Sequence, residues 1–505
     1  DLVIDEVDDF EGNDLVAILR LVHLSGMLGR NVLLSSATIP PAVAESAFDS
    51  YLEGWKLFAR TRNRENEVLC AWIDETVGAK VSSLGDMSSF SSRHNKFIAS
   101  RIKRIREQPA KRKGKIQPVT PENFSKQILN AALELHNHHA SIYKGKKISF
   151  GVVRMANITP CVKMTRFFLE VDLPEDTELR VLPYHSRFPR ISRHYMEREL
   201  DAVLKRKNPE KAFELPTIKK HIKNTDKNNI LFIVVATPVE EVGRDHDFDW
   251  AILEPSSVRS LVQMSGRVLR HRETEGPQAP NVIVLSHNIR ALLNKNIAYT
   301  RPGYESGEFR LDNHDLRDIL GEQTIQERID SGLRISRMKD PQPQKSLLDL
   351  EHTSLHSILT EGKSSDYKKV SGWVNGPYYL TDIAQRSKPF RQGSLEESFF
   401  LFPEEPDLQL KFYRKDEAGN FISSDREFDH ESLTAKEEGR LWHEVVYYYQ
   451  LEDIGRDTGL TVNQAAKRYG EISVPDYMLE TGQARIKFNP NLGLWQEKDL
   501  GNLFR

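Results

Sequence analysis

The sequence predicts an α/β protein in which two parallel-sheet units are followed by a mixed α+β unit. Three observations carry this. Short apolar runs alternate with helix-periodic stretches over residues 1–60 and again over 146–300, the pattern of strand–helix–strand units with buried parallel strands. Beyond residue 300 that alternation stops, and short, aromatic, turn-punctuated runs replace it. The chain's 505 residues also exceed what one core organises, so about two to four domains are expected.

Taken in order, Leu2–Ile4 and Asn31–Leu34 are strands. Asp14–Gly26 between them is a helix, with Leu15, Ile18, Leu19 and Val22 at helix spacing. An amphipathic helix follows Pro40-Pro41 to about Arg60. Residues 82–95, "SSLGDMSSFSSRHN", read as a Ser-rich loop. Next, "RIKRIREQPAKRKGKI" (Arg101–Ile116) sets Arg101, Lys103, Arg104, Arg106, Lys111, Arg112, Lys113 and Lys115 against Glu107 alone. It reads either as a phosphate-binding segment acting through counterion release or as a solvated basic insertion. A helix covers about Pro121–Tyr143, with His136 and His139 sharing a face at a solvated end. The second unit has strands in "ISFGVVRM", "LRVLPYH", "ILFIVVAT", "DWAILE" and "NVIVLS", and Lys205–Asn229 as a polar surface insertion. Ser346–Leu359 reads as a helix and "LQLKFYRKDEAGNFI" as a hairpin about Gly419-Asn420. Glu437–Leu451 and Val462–Gly470 read as helices. The expected division is 1–60, 61–145 (basic insertion and linker helix), 146–300, 301–345 (linker) and 346–505.

Composition excludes several classes. A net charge of −2 means that any basic surface is local. Two cysteines, Cys70 and Cys161, exclude a disulfide framework and fit a reducing, cytoplasmic setting. No apolar run approaches the ~18 residues that span a bilayer. No Met opens the chain and a buried-type strand starts at Leu2, so it reads as part of a longer protein.

Chemistry concentrates in four places. "DLVIDEVDDF" sets Asp5 and Glu6 at the carboxyl end of a strand, where ligands bind in open α/β sheets. Asp5 suits Mg²⁺ held through water, and Glu6 suits orienting or deprotonating an attacking water. In "LLSSATIPP", Ser36 and Thr38 bring hydroxyls to the next strand's tip, expected beside Asp5 and Glu6. "VVATPVEEVGRDHDFDWAILEP" loads Thr237, Glu241, Gly243, Asp245 and Asp249 into one interstrand loop. "SLVQMSGRVLRHR" sets Gln263, Arg267 and Arg270 on one expected helix, the two arginines sharing a face that suits a triphosphate. The pair His246-Asp247 lacks the converging ligands a metal needs. "KPFRQG" (Lys388, Phe390, Arg391) has the makings of a strand-holding patch but reads as a packed surface loop.

In this order, "DEVD", "SAT", "TPVEEVGRD" and "QMSGRVLR" resemble motifs II, III, V and VI of superfamily 2 helicases. "YHSRFPRISRHYMERE" narrows the resemblance to the CRISPR-associated helicase–nucleases of type I interference systems. So does the register of Thr237, Glu241, Gly243, Asp245, Asp247 and Asp249 with that family's motif V. Pro238, Arg244 and His246 depart from the family pattern, and Pro238 removes a backbone donor. The large insertions point to the subtype fused to an integration-complex subunit.

The resemblance implies two RecA-like motor domains, the first truncated on its N-terminal side, and a C-terminal accessory domain capping a DNA channel. It implies an ATP- and Mg²⁺-dependent single-stranded DNA translocase moving 3′ to 5′, cytoplasmic, which degrades invading DNA after recruitment by an RNA-guided surveillance complex. Asp5 would be the magnesium ligand and Glu6 the catalytic carboxylate. Ser36 and Thr38 would couple nucleotide state to closure. Arg187 and Thr237 would contact DNA, and Glu241, Gly243 and Asp245 would link DNA to nucleotide. Gln263, Arg267 and Arg270 would reach the γ-phosphate. Phage-encoded inhibitors act on such proteins as a class, and no residue here marks a footprint.

A phosphate-cradling Gly-x-x-x-x-Gly-Lys-Ser/Thr loop is not found; "YKGKKIS" and "KRKGKI" lack the second glycine and the hydroxyl residue. The resemblance places that loop and a nuclease domain in a missing N-terminal portion. The 505-residue chain alone is therefore expected not to hydrolyse ATP and to expose an apolar edge at Leu2–Ile4. An RNA helicase, a restriction-type translocase or a scaffold with a dead motor remain as other readings.

Overall fold

In the computed structural model the first unit is small. Strands β1 (Leu2–Ile4) and β2 (Val32–Leu34) pair in parallel, Leu2 opposite Val32 and Ile4 opposite Leu34. Helix α1 (Gly12–Met27) connects them, and α2 (Pro41–Arg62) follows with Pro41 in the first helical position, where its missing N–H costs nothing. Leu15, Leu19 and Val22 are buried against Ala42, Val43 and Ala47. Of the expected apolar edge, Val3 is 66% exposed whereas Ile4 is buried. The structure describes residues 1–10, 12–360, 369–374, 381–383, 386, 390, 395–405, 407–480 and 485–504.

An antiparallel hairpin, β3 (Val68–Asp74) and β4 (Gly78–Leu84), leads into helix α3 (Met87–Glu107). The Ser-rich run expected as a loop is therefore the end of β4 and the start of α3. Asp86 N-caps the helix by accepting from Ser89 N, and Phe90 stacks on Phe48 with centroids 4.3 Å apart.

The second unit comprises β5 (Gly114–Gln117), α4 (Phe124–His139), β6 (Ser141–Tyr143), β7 (Lys146–Arg154), α5 (Ile158–Glu170), β8 (Thr177–Tyr184), α6 (Arg190–Leu204), α7 (Glu210–Glu214), α8 (Pro216–Lys223), β9 (Asn229–Ala236), β10 (Trp250–Leu253), α9 (Val258–Ser265) and β11 (Val282–Leu285). Its seven-stranded sheet runs β5-β11-β10-β7-β9-β8, all parallel, with β6 antiparallel to β7. Continuous apolar strands with helices on both faces bury this sheet on both sides, as parallel sheets require.

Three expectations are corrected here. The sheet starts at Gly114, not 146, because β5 pairs with β11 inside the basic run and α4 buries Phe124, Ile128 and Leu135 against it. Lys205–Asn229 is no surface insertion, since α7 and α8 bury Ala212, Phe213, Ile218 and Ile222. The face of α4 bearing His136 is not solvated: His136 Nδ1 lies 2.7 Å from Ser149 Oγ, and His139 Nε2 lies 2.9 Å from Pro280 O.

Residues 301–345 are not a free linker, because Leu311, Leu316, Ile319, Ile325 and Ile329 enter the second unit's core. The helix Leu347–Leu359 forms as expected, with Ser346 as N-cap. The C-terminal unit joins β12 (Glu396–Glu404), β13 (Gln409–Lys415), β14 (Phe421–Ser423) and β16 (Glu471–Pro475) in one antiparallel sheet. The expected hairpin turns at Gly419, whose φ of +84° suits glycine. A second sheet takes β15 (Phe428–His430), β17 (Ile486–Asn489) and β18 (Gly493–Gln496). Expected Glu437–Leu451 is two helices, Ala435–Gly439 and Tyr447–Thr458, while Val462–Tyr469 holds. Lys388 and Arg391 of "KPFRQG" lie outside the described residues; the Phe390 ring lies 5.7 Å from that of Phe10. No helix among the described residues is long and apolar enough to cross a membrane.

Candidate active site

Parallel pairing of β1 with β2 sets the acidic strand end beside the hydroxyl-bearing one. Val7 N donates to Ser35 O at 3.1 Å, and Ser35 N donates to Ile4 O at 3.0 Å. Between them Glu6 takes a left-handed turn, φ 49°, into a 3₁₀ turn over Val7–Asp9. That turn redistributes the expected pairs. Ser35, not Ser36, donates to Asp5. Ser36 reaches Glu6 at 3.3 Å but also donates to Asp8, and so does Thr38. Asp8, only 2% exposed, is the hub of this tip. It stands last in "DEVD", and its place after the two expected carboxylates was the available signal.

Helix α9 of the second unit closes on the same turn. Arg259 Nη1 donates to Asp8 O at 3.2 Å and to Asp9 O at 2.8 Å, while Gln263 donates to the Asp9 carboxylate. Arg259 and Gln263 are four apart and share a face, a spacing legible in "VRSLVQ". Burial, then the charges of Asp8 and Asp9, raises the Glu6 pKa above its ordinary value of 4.5.

Arg267 and Arg270 do not share a helix with Gln263. The helix stops at Ser265, and Val268 bridges to Phe248, so both arginines sit on a turn in which Leu269 has φ 49°. Arg267 is buried and donates Nη2 to Glu241 O at 2.7 Å. Its Nε and Nη1 have no hydrogen-bond partner among the described residues. Burial first, then Arg270, pushes its pKa down, against the opposing pull of Glu240 and Glu6. Arg270 turns outward to Asp245 at 3.0 Å.

The loop after β9 supports this turn. Thr237 N donates to Tyr184 O at 3.1 Å, and Pro238 opens a 3₁₀ turn over Pro238–Glu240. The Glu241 carboxylate accepts from fully buried Arg154 at 2.7 Å and from Ser260 at 2.5 Å. An arginine inside the apolar run "FGVVRM" was the sequence signal for a buried partner. Gly243 has φ +65° and an open Cβ position. Asp247 and Asp249 are structural: Arg272 binds both at 2.6 Å, and Arg206 binds Asp249 at 2.9 Å. His246 lies between Glu240 and Asp201. Arg187 turns to the C-terminal unit, donating to Tyr477 Oη at 2.8 Å and Met478 Sδ at 2.6 Å.

Fold and site together define an α/β protein in which a small parallel unit and a larger one oppose acidic and basic side chains across their junction. More particularly, residues 147–273 match the family model described as the CRISPR-associated nuclease/helicase Cas3, C-terminal. The chain is 38% identical over 487 residues to a CRISPR-associated nuclease/helicase Cas3 of subtype I-F/YPEST from Pseudomonas aeruginosa, covering 94% of this chain and 45% of that protein. Against the like-named protein of Pectobacterium atrosepticum it is 38% identical over 439 residues, covering 83% and 40%. It thus spans less than half the length of these curated relatives. The crystal structure of T. fusca Cas3 with AMPPNP is 16% identical with a TM-score of 0.45, covering 99% of this chain and 52% of that one. The chain resembles the CRISPR-associated nuclease/helicases, as its motifs led one to expect.

Proposed function

We propose that the chain is the helicase portion of a CRISPR interference nuclease, an ATP-driven, Mg²⁺-requiring translocase on single-stranded DNA recruited by an RNA-guided surveillance complex. One observation carries this reading. Helix α9 docks on the Asp8–Asp9 turn, and the turn that follows it carries buried Arg267, two of whose guanidinium nitrogens have no hydrogen-bond partner among the described residues.

The residues fit a phosphoryl-transfer site. Among the described residues no three His, Cys, Asp or Glu side chains converge as a complete metal centre, and Mg²⁺ is commonly held by one or two carboxylates with substrate phosphates. Asp5, exposed at the strand end, would hold it; the ion would neutralise charge building on the phosphates. Glu6, with its raised pKa, would accept the proton of the attacking water. Arg267 would stabilise charge on the transferred group, and Gln263 keeps the turn of Asp9 against α9. Arg270 is held in reserve by Asp245. Ser36 and Thr38 would report nucleotide state through Asp8, Thr237 would meet a DNA phosphate, and Glu241 would carry that contact to Arg267 through its carbonyl.

The test uses the full natural protein that contains this chain. Glu6→Gln should lower DNA-stimulated ATP turnover by ~10²–10⁴, and Arg267→Ala by ~10³–10⁵, with nucleotide binding retained. Turnover equal to the unaltered protein in both variants would overturn the reading; stimulation by RNA alone would replace the substrate.

A further inference from the structure

The basic run Arg101–Ile116 holds no place in the site described above, yet two of its arginines touch both halves of it. Arg101, near the end of α3, donates Nη2 to Ala37 O at 2.9 Å and pairs through Nε with Asp74 at 2.9 Å. Ala37 lies between Ser36 and Thr38, the two residues that grip Asp8. Arg112 donates Nε to Val268 O at 2.8 Å and Nη2 to Gly266 O at 3.1 Å. Those carbonyls flank Arg267. One short segment therefore seats a guanidinium on the backbone behind each half of the site.

The segment between the two arginines is itself pinned. Arg328 donates to Ile105 O at 2.9 Å and also to Gln108 O, and Ile329 N donates to Arg112 O at 2.9 Å. Asn281 Nδ2 donates to Lys111 O at 2.9 Å, and its Oδ1 accepts from Lys113 N at 3.0 Å. Two carbonyls taken by one planar fork is a geometry a lysine cannot reproduce, since its single nitrogen presents a point charge.

We propose that Arg101 and Arg112 are positioning residues, the two ends of a strap that ties the Ser36–Thr38 tip to the turn carrying Arg267. Resting on the functional reading above, the strap gives the run a role other than phosphate binding: it fixes where Arg267 stands relative to the acidic tip. Arg106, exposed in the same run, carries equal charge without either contact and so separates strap from charge.

The experiment compares Arg112→Lys, Arg101→Lys and Arg106→Ala in the full natural protein. Arg112→Lys and Arg101→Lys should each lower kcat for DNA-stimulated ATP hydrolysis about 10–100-fold with KM for ATP and DNA affinity unchanged. Their combined effect should be less than the product of the two, and Arg106→Ala should leave kcat alone. Amide exchange supplies a readout independent of turnover. Arg112→Lys should speed exchange at Arg267–Leu269 and also at Thr38, and Arg101→Lys should do the same from the other end. Exchange changes confined to each variant's own end would overturn the strap, as would equal kcat loss in Arg106→Ala. Absence of ATP turnover in the unaltered protein sinks the functional reading, while the exchange arm still decides the strap.

Discussion

At the residue scale, Glu6 shows how function is bought with stability. Its carboxylate is turned by a left-handed backbone into partial burial beside Asp8 and Asp9, and its pKa rises above 4.5. A raised acid binds its proton more tightly folded than unfolded. Glu6 therefore destabilises the fold at neutral pH, and the penalty fades as pH falls through the folded pKa towards 4.5. Glu6→Gln removes the charge, so it should raise stability at pH 7 while stopping turnover, by at most ~1 kcal/mol because solvent screens the site. Denaturant titrations of both proteins between pH 4 and 7 check this: a gap that widens with rising pH is expected, and a constant gap would show that the charge is not the cause. Asp5, Glu6 and Arg267 stand out in the sequence because they sit in recognisable strings. The role of Asp8 as hub was not displayed by any string, because which carboxylate Ser36 and Thr38 choose depends on the left-handed backbone of Glu6.

At the element scale, the strongest constraint in the first unit is the crossing of α1 and α2. An added Cβ on Gly54 would lie 2.2 Å from His23 O, and one on Gly26 would lie 2.4 Å from Tyr51 O. Gly54→Ala must therefore spread the helices, loosening the packing beneath β1 and β2, and overpacking of this kind costs ~1–3 kcal/mol. The melting temperature should fall, and turnover should fall with it as the acidic tip shifts. An unchanged melting temperature would mean that the helices separate freely and do not hold the tip. Apolar periodicity sufficed to place α1 and α2, yet it says nothing of how closely they approach. The same limit explains β5: a strand of four residues that follows Lys113 and contains Lys115 carries no apolar signature, and only its pairing with β11 identifies it. The Ser-rich run failed for a related reason, since Asp86 and Phe90 decide it as cap and stacking partner, not as composition.

At the scale of the whole molecule, the C-terminal unit shares a core with the second unit. Val181 of β8 accepts from Trp442 N and donates to Arg440 O, both at 2.9 Å, so the C-terminal chain adds a bridge to the large sheet's edge strand. Leu441, Leu492, Trp495 and Leu503 are buried with Val181, Ile233 and Ile252 in one core. His185 Nε2 lies 2.9 Å from Leu492 O, Leu494 N donates to Arg187 O at 2.8 Å, and burial pushes His185 down to about 3. The loop carrying Arg187 is thus shaped by residues some 300 positions later, beyond the reach of any local pattern. Trp495→Ala should consequently cost ~3–5 kcal/mol, read as loss of the second unit's stability and not of the C-terminal unit's alone. Amide exchange gives the decisive contrast: β8, β9 and β17 should lose protection together as one cooperative unit. If β17 and β18 exchange freely while β8 and β9 keep their protection, the C-terminal unit is an appendage and the shared core is not what holds the Arg187 loop.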